Sequence, residues 1–220
     1  MKIGIIGGTG KLGAALGGRW AKAGHTVFLG SRSADSATAV ADELRGRLGG
    51  DIAGTTNLEA ARQAEVVVSC VPFSAQEERL KEIAEAAKGK IFVDCTVPLV
   101  PPRVMRVQLP AEGSAAQRAE GFLGEGVRMT SAFHSVAAHK LATDATVPGD
   151  VLVFGDEKAA RDVVVGLAGD AGLRGLHGGG LPNSAAAEAL TSVLIFINKT
   201  YRVDGAGLSI IGDLVEPDAA

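Results

Sequence analysis

A glycine-rich segment near the amino terminus is the part of the chain that most clearly predicts chemistry. Its residues Gly8-Thr9-Gly10-Lys11-Leu12-Gly13 fit the pattern G-x-G-x-x-G and lie between the apolar run 2–6 and a helical pattern that begins at Lys11. In this pattern the first glycine permits a tight turn, the second lets backbone N–H groups approach a pyrophosphate, and the third lets the helix pack closely on the strand. The helix amino terminus adds open N–H donors and partial positive charge. We therefore expect Gly8 to Gly13 to cradle the phosphates of a dinucleotide, rather than to form a turn without a ligand.

The residues after the second apolar run indicate which dinucleotide is bound. NAD-binding proteins usually place Asp or Glu about 20 residues after the glycines, where the carboxylate binds the ribose 2′-hydroxyl. Here the run 26–29 is followed by Gly30, Ser31 and Arg32, and no acidic residue precedes Asp35. A serine hydroxyl and a forked guanidinium suit a 2′-phosphate. We therefore predict that Ser31 and Arg32 select NADP(H); the alternative is that Arg32 is a solvated residue at the start of a helix.

Four further residues have side chains that could take part in a reaction. His134, at the end of a predicted strand, would be the proton donor if the substrate were a ketone or an imine. Its alternative role is that of a hydrogen-bonded structural histidine. Cys70 and Cys95 end neighbouring predicted strands on the side where ligands bind, although most such cysteines are small buried residues. Glu188 lies on an apolar helix, where a bare charge is costly, so it should pair across a subunit interface or face a ligand.

Short apolar runs that alternate with helical patterns must position these residues. Strands are predicted at 2–6, 26–29, 66–71, 91–94, 127–133 and 151–154, and helices at 11–23, 35–48, 77–87, 159–168 and 182–197. Continuous Val and Ile runs separated by helices are typical of a parallel sheet covered on both faces. The predicted fold class is α/β, a doubly wound parallel sheet of the Rossmann type with a small C-terminal lobe that contains a buried helix.

Two stretches depart from this alternation. The segment 98–126 contains four prolines and a capping-box pattern at Ser114–Gln117 that should start a short helix. It is either an insertion near the ligand or a long surface connection. The helix 182–197, capped by Asn183 or Ser184, is apolar around nearly its whole circumference, so it should be buried in the core or against a second subunit. We expect a dinucleotide-binding domain at 1–126, and a lobe at 127–220 that completes the acceptor site and a homodimer interface.

Composition argues against several classes of function. The 220 residues suit one domain, or one domain with a small lobe. A net charge of −3 and an aromatic content of 4% argue against binding to nucleic acid. No uninterrupted apolar run approaches the ~18 residues of a membrane span. Two cysteines without C-x-x-C spacing argue against a metal site and indicate a reducing compartment, so we expect a cytoplasmic protein.

Seven short motifs carry a resemblance to a known family. GGTGKLG, GSR, VSCVPF, DCTVPL, GSAA, SAFH and LPNS occur in this order along nearly the whole chain. Together they resemble the NADPH-dependent coenzyme F420 reductases, also called F420H2:NADP oxidoreductases. The resemblance implies hydride exchange between NADP(H) and the deazaflavin coenzyme F420. It also implies that residues 9–12 wrap the phosphates, that Val71, Pro72 and Phe73 border the adenosine and nicotinamide side, and that the deazaflavin lies near His134 to Ala137 and the turn 181–184.

The chain departs from the family pattern in its second helix, and other functions stay open. Family members often carry another basic residue early in that helix, whereas this chain has Ser36 and no Lys or Arg between Arg32 and Arg45. Alternative functions are an NADPH-dependent reductase of another pterin-like, imine or carbonyl substrate, and a non-catalytic NADPH sensor.

Hydride transfer between two bound rings needs orientation and exclusion of water. The sequence agrees, since it shows no catalytic triad or paired carboxylates.

Overall fold

The computed structural model describes residues 1–215 and contains an eight-stranded sheet with helices on both faces. The strands are β1 (Lys2–Ile6), β2 (Thr26–Ser31), β3 (Asp51–Thr56), β4 (Val66–Ser69), β5 (Ile91–Asp94), β6 (Arg128–Ser131), β7 (Asp150–Phe154) and β8 (Arg174–Gly179). The helices are α1 (Lys11–Lys22), α2 (Ala34–Leu48), α3 (Asn57–Gln63), α4 (Gln76–Ala87), α5 (Ala115–Leu123), α6 (Ala138–Leu141), α7 (Lys158–Asp170) and α8 (Ser184–Tyr201). Short 3₁₀ turns at Phe73–Ala75 and Leu181–Asn183 precede α4 and α8.

The strand order creates a crevice at the carboxyl ends of the central strands. The order is β3-β2-β1-β4-β5-β6-β7-β8, and neighbouring strands are parallel except for the antiparallel pair β6 and β7. Chain order reverses between β1 and β4, and ligands of such sheets bind outside the carboxyl ends of the strands at this switch point. The structure therefore confirms the predicted doubly wound α/β fold, with β7 and β8 continuing the sheet beyond β6.

Two apolar clusters cover the two faces of the sheet. Leu16 and Trp20 of α1 belong to one cluster, and Leu80 and Ile83 of α4 belong to the other. The central strands contribute to both clusters, so every residue of β4, Val66–Ser69, is buried. Burial on both faces explains why the central strands read as continuous apolar runs rather than as alternating patterns.

The connection between β5 and β6 contains the helix that the capping pattern predicted. The Ser114 hydroxyl accepts a hydrogen bond from the Gln117 backbone N–H at 3.0 Å, and α5 begins directly afterwards. The side chain thereby satisfies one of the first N–H groups of the helix, which have no partner within it.

The last helix, α8, is buried along one face only. Ala187, Glu188 and Leu194 point into the protein, whereas Val193 is 42% and Phe196 is 52% exposed. None of the helices within residues 1–215 combines the length and apolar character needed to cross a membrane.

Candidate functional site

The glycine loop forms a tight turn directly after β1. Gly7 has a φ of +72°, a conformation that glycine adopts without strain. The Gly10 N–H donates to the Gly7 carbonyl at 3.0 Å, and the Gly8 N–H donates to the Gly30 carbonyl of β2 at 2.8 Å. A Cβ atom on Gly8 would meet the Ile5 carbonyl oxygen at 3.0 Å, so the loop lies flat against the strand ends.

Helix α1 lies directly on this loop. A Cβ atom on Gly13 would come within 2.8 Å of the Gly8 Cα and 2.9 Å of the Gly7 carbonyl oxygen, so a larger residue there would push the helix away. Gly10 is the N-cap of α1 and supplies no side-chain hydrogen bond, and the first turn has no acidic residue. The first N–H groups of the helix are therefore available to a phosphate.

A cavity of about 360 Å³ lies over the loop and brings together six of the twelve predicted cofactor residues. It is lined by Gly7, Thr9, Gly10, Ser31, Arg32, Asn57, Cys70, Val71, Pro72, Ala75, Glu78 and Arg79. The cavity lies at the carboxyl ends of β1, β2 and β4, at the switch point of the sheet, where a dinucleotide would place its pyrophosphate and adenosine ribose.

The other predicted cofactor residues do not line this cavity. Leu12 packs against the apolar cluster beneath the loop, and Lys11 is exposed at the start of α1. The Phe73 ring lies against the guanidinium of Arg118 on α5, whose Cζ atom is 4.8 Å from the centroid of the ring. Ala137 lines a second cavity. The buried Gly8 and Gly13 shape the first cavity through close backbone packing.

Asn57 is a cavity residue that the sequence interpretation missed. It is buried at the start of α3, and its Oδ1 atom accepts a hydrogen bond from the Gly7 N–H at 3.1 Å. The Thr56 hydroxyl caps α3 by accepting from the Glu59 N–H at 3.2 Å. The pattern Thr56-x-x-Glu59 is itself a capping box, and it is the signal that could have located this helix.

Arg79 is the second missed residue, and it adds a guanidinium to the cavity that contains Arg32. Its side chain is only 17% exposed and forms ion pairs with Glu78 and, at 2.7 Å, with Glu82. A charged residue on a helix is usually solvated, so nothing in the local sequence distinguishes Arg79 from its neighbours. Its place in the cavity follows from the packing of α4 against α3 and α5.

A second cavity, of about 390 Å³, lies beyond β6 and contains one of the two predicted acceptor segments, residues 134–137, whereas the turn 181–184 does not line it. It is lined by residues 134–137, His139, four residues of α8 and residues 203–206. Phe133 has a φ of +64°, which is unusual for a bulky residue and turns the chain immediately before His134. The Thr191 hydroxyl of α8 donates to the His134 carbonyl at 3.0 Å and so holds this segment against the helix.

The His134 ring is neutral at physiological pH. Burial lowers the pKa of His134 to about 4. Its Nε2 atom is buried and has no hydrogen-bond partner within residues 1–215. The ring can therefore donate or accept a hydrogen bond through its nitrogens, but at neutral pH it has no imidazolium proton to release.

The two cavities lie beside segments that leave the carboxyl ends of parallel strands. Strands β1, β4, β5 and β6 run in one direction. The glycine loop follows β1 and the segment 132–137 follows β6, so both leave the carboxyl edge. Both segments therefore begin on the same side of the sheet, although the two cavities share no lining residue.

Sequence comparison identifies the family to which this chain belongs. The family model described as "NADP oxidoreductase coenzyme F420-dependent" matches residues 2–98. The F420-dependent NADP reductase of Methanothermobacter thermautotrophicus is 39% identical over 219 residues, which cover 96% of this chain and 94% of the relative. The chain belongs to the F420-dependent NADP reductase family. A further reductase of the same name, from Methanocaldococcus jannaschii, is 36% identical over 96% of this chain and 98% of its own length.

Solved structures resemble this F420-dependent NADP reductase family member in fold. A crystal structure from Arthrobacter sp. FB24, assigned as an F420-dependent NADP reductase, superposes with a TM-score of 0.83 at 22% identity, over 96% of this chain and 100% of that one. An imine reductase from Bacillus cereus superposes with a TM-score of 0.60 at 18% identity, over 91% of this chain and 61% of its own. At these identities the likeness establishes the fold alone.

Glu188 of this reductase family member pairs within its own chain, contrary to both expectations for it. Its carboxylate accepts hydrogen bonds from the N–H groups of Ala115 at 2.6 Å and Ala116 at 3.1 Å, at the start of α5. Asp94 lies nearby, where it accepts from Gln76 at 2.8 Å and from the Thr96 hydroxyl at 2.6 Å. Burial raises the pKa of Glu188 to about 7 and that of Asp94 to about 6. Glu188 therefore joins α8 to α5.

Proposed function

We propose that this chain transfers a hydride between NADP(H) and the deazaflavin coenzyme F420. The observation that carries the proposal is the nearly full-length similarity to relatives named F420-dependent NADP reductase, at 39% identity for the Methanothermobacter thermautotrophicus protein. The geometry supports it, because two cavities of about 360 and 390 Å³ lie at the same edge of the sheet. A reaction between two bound cofactors needs two such sites.

The cavity over the glycine loop is our proposed site for NADP(H), because its lining contains two guanidinium groups, Arg32 and Arg79, against one carboxylate, Glu78. The pyrophosphate would lie on the open N–H groups of α1, and Val71 and Pro72 would border the adenosine. Ser31 and Arg32 would hold the 2′-phosphate through a hydroxyl and a forked guanidinium. Arg79 would supply the second cation, from α4 rather than from α2, where Ser36 occupies the position of the usual basic residue.

The second cavity is our proposed site for the deazaflavin. Its walls come from residues 134–137, from α8 and from residues 203–206, all within the C-terminal part 127–220. Residues 1–126 then bind NADP(H), and residues 127–220 complete the acceptor site. Ala137, which we predicted to bind cofactor, would contact the deazaflavin rather than the nicotinamide nucleotide.

The protein's part in this reaction is positional. A hydride moves with its electron pair from one ring to the other, so no side chain needs to exchange a proton at the reacting carbons. The chain holds the rings at the carboxyl edge of the sheet and excludes water from between them. The neutral His134 fits a role in contacting the acceptor, since burial keeps its pKa at about 4.

Mixing the protein with NADPH and oxidised coenzyme F420 tests the proposed function. We expect the absorbance band of the oxidised deazaflavin to disappear with first-order dependence on protein concentration. NADPH that binds tightly, without loss of this band at any pH from acid to alkaline, would contradict the proposal. Turnover with an imine or carbonyl compound would then indicate another reductase, and no turnover with any acceptor would indicate an NADPH sensor.

Replacing His134 by Ala should mainly weaken acceptor binding. If transfer is direct, KM for F420 should rise about tenfold, because the acceptor loses one hydrogen bond or packing contact. NADPH affinity and kcat should change little. Steady-state kinetics measures both constants, and His177→Ala on β8 is a control outside both cavities. A fall in kcat of roughly two to four orders of magnitude at unchanged KM would show that His134 is a general acid and overturn the direct-transfer mechanism.

We also propose a homodimer in which α8 contributes to the interface. Val193 and Phe196 lie one helical turn apart and are 42% and 52% exposed, and Tyr201 at the end of α8 is 72% exposed. A helix face of this kind is typical of a surface that a second subunit covers. Light scattering at micromolar concentration should give the mass of two chains, and Phe196→Glu should give that of one. A wild-type mass of one chain would exclude the dimer.

We propose a cytoplasmic location. The free thiols of Cys70 and Cys95 support it, because thiols remain reduced in that compartment.

A further inference from the structure

Cys70 and Cys95 lie side by side at the edge of the dinucleotide cavity. Strands β4 and β5 are paired in a register that puts Ser69 opposite Asp94, so the two cysteines are the next pair along. The Cys95 N–H donates to the Ser69 carbonyl at 3.0 Å, which continues the ladder up to the cysteines. Cys95 belongs to the apolar cluster on one face of the sheet, and Cys70 packs against that same cluster. The two side chains therefore point to the same face, and the Cys70 thiol is close enough to raise the pKa of the Cys95 thiol.

From this arrangement we infer that Cys70 and Cys95 are a redox-active dithiol, whose oxidation to a disulfide weakens NADP(H) binding. The second part of this inference rests on the proposed function, which puts NADP(H) in the cavity that Cys70 lines. Neighbouring parallel strands are about 4.8 Å apart, and the Cα atoms of disulfides are separated by about 4.4 to 6.8 Å. A spacing of this size lies within the range that a disulfide spans. Both residues lie one position beyond the regular strands.

The surroundings of the two thiols differ and assign them different steps. Cys70 is partly exposed and lines the cavity, whereas Cys95 is buried. Contact with Cys70 and burial raise the pKa of the Cys95 thiol, so this thiol stays protonated. A peroxide that enters the empty cavity therefore meets Cys70 first, and Cys95 resolves the product.

The chemistry balances with hydrogen peroxide as the oxidant. The Cys70 sulfur attacks one peroxide oxygen, the O–O bond breaks, and Cys70 becomes a sulfenic acid while water leaves. The Cys95 sulfur then attacks the Cys70 sulfur, the S–O bond breaks, and the hydroxide leaves as a second water with the Cys95 proton. Two thiols lose two electrons in total, and one peroxide becomes two waters. A dithiol reductant reverses the change by thiol–disulfide exchange.

The position of Cys70 links its oxidation to cofactor binding. The Cys70 N–H donates to the carbonyl of Ile6 at 2.9 Å, immediately before the glycine loop. The backbones are close there, since a Cβ atom on Gly7 would lie 3.3 Å from the Cys70 carbonyl oxygen. Drawing Cys70 toward Cys95 moves it away from the loop that holds the phosphates. By reciprocity, bound NADPH should slow the oxidation of Cys70.

Intact-mass spectrometry and NADPH titration of the full chain test the inference together. Reduced protein treated with stoichiometric hydrogen peroxide should lose about 2 Da and block both cysteines from alkylation, with full reversal by dithiothreitol. The dissociation constant of NADPH should be about tenfold higher for the oxidised than for the reduced form. The variant Cys95→Ala should gain oxygen on Cys70 instead of losing 2 Da, and Cys70→Ser should stay unchanged in mass.

Each result decides one part of the inference. Addition of oxygen to the wild type in place of the mass loss, or no change at all, overturns the dithiol. A disulfide that leaves NADPH affinity unchanged overturns the link to the cofactor. The mass is read without any cofactor, so it decides the disulfide even if the reduced protein fails to bind NADPH, which would instead contradict the proposed function.

Discussion

Replacing Arg32 by Asp should weaken NADPH binding more than a hundredfold and leave NADH binding unchanged or tighter. Arg32 follows β2 and lines the cavity with Ser31 and Arg79, at the position where the fold places the adenosine ribose. A charge-assisted contact contributes about 1.5–3 kcal/mol, so Arg32→Ala alone should weaken NADPH by about ten- to a hundredfold. Aspartate adds repulsion of the phosphate and an acceptor for the 2′-hydroxyl of NADH.

Titration of both cofactors against each variant measures this discrimination. Arg47→Asp is the matched control, because it makes the same charge change on an exposed residue at the far end of α2. Arg79→Ala should lower NADPH affinity by about two- to fivefold and spare NADH, because Glu78 and Glu82 already pair with the Arg79 guanidinium. Equal affinity of the wild type for NADH and NADPH, or equal weakening of both cofactors by Arg32→Asp, would show that the 2′-phosphate lies elsewhere.

Replacing Glu188 by Ala should cost about 2–5 kcal/mol of the free energy of unfolding. The substitution removes the acceptor for the N–H groups of Ala115 and Ala116, and each buried donor left without a partner costs about 1–3 kcal/mol. Glu188→Gln should lose less, since its amide oxygen can still accept from one of the two N–H groups of α5 while its NH2 group faces the other. Urea unfolding of the three proteins measures the loss. A stability of Glu188→Ala equal to that of the wild type would show that this link between α8 and α5 contributes nothing.

The same carboxyl predicts a dependence of stability on pH. Burial and the nearby Asp94 raise the pKa of Glu188 from 4.5 to about 7, against the hydrogen bonds from α5. The folded state therefore favours the protonated form, and the stabilisation is fully present below pH 4.5 and lost as pH rises through 7. The unfolding free energy of the wild type, relative to Glu188→Gln, should fall between pH 4.5 and 7 and level off above. A difference independent of pH would contradict the buried, protonated carboxyl.

Local sequence patterns predicted the elements that carry the glycine loop and missed those at the sheet edges. Strand β1 and the start of α1 follow from an apolar run and a motif, and the structure has both at the predicted residues. Strand β3 has a single buried residue, Ile52, because it lies at the edge, so its sequence has no apolar run. Strand β8 contains three glycines and is only half buried at the other edge.

Contacts between distant parts of the chain account for what sequence reasoning missed in the site. The partner of Glu188 is the start of α5, 73 residues earlier in the chain. Arg79 enters the cavity because α4 packs against α3 and α5, and Asn57 enters it because its amide contacts Gly7. None of these relationships leaves a periodic pattern, whereas the missing acid before Asp35 is a local feature that the sequence displays directly.

Transfer of deuterium from NADPH that carries deuterium at both C4 positions of the nicotinamide tests the central claim most directly. The protein is incubated with the labelled cofactor and oxidised F420 in ordinary water, and the reduced deazaflavin is analysed by mass spectrometry and proton NMR. Direct hydride transfer between two rings predicts one deuterium on the reduced deazaflavin ring, because the hydride never exchanges with water. Release of the deuterium into the solvent, or binding of NADPH without any reduction of F420, would contradict the account.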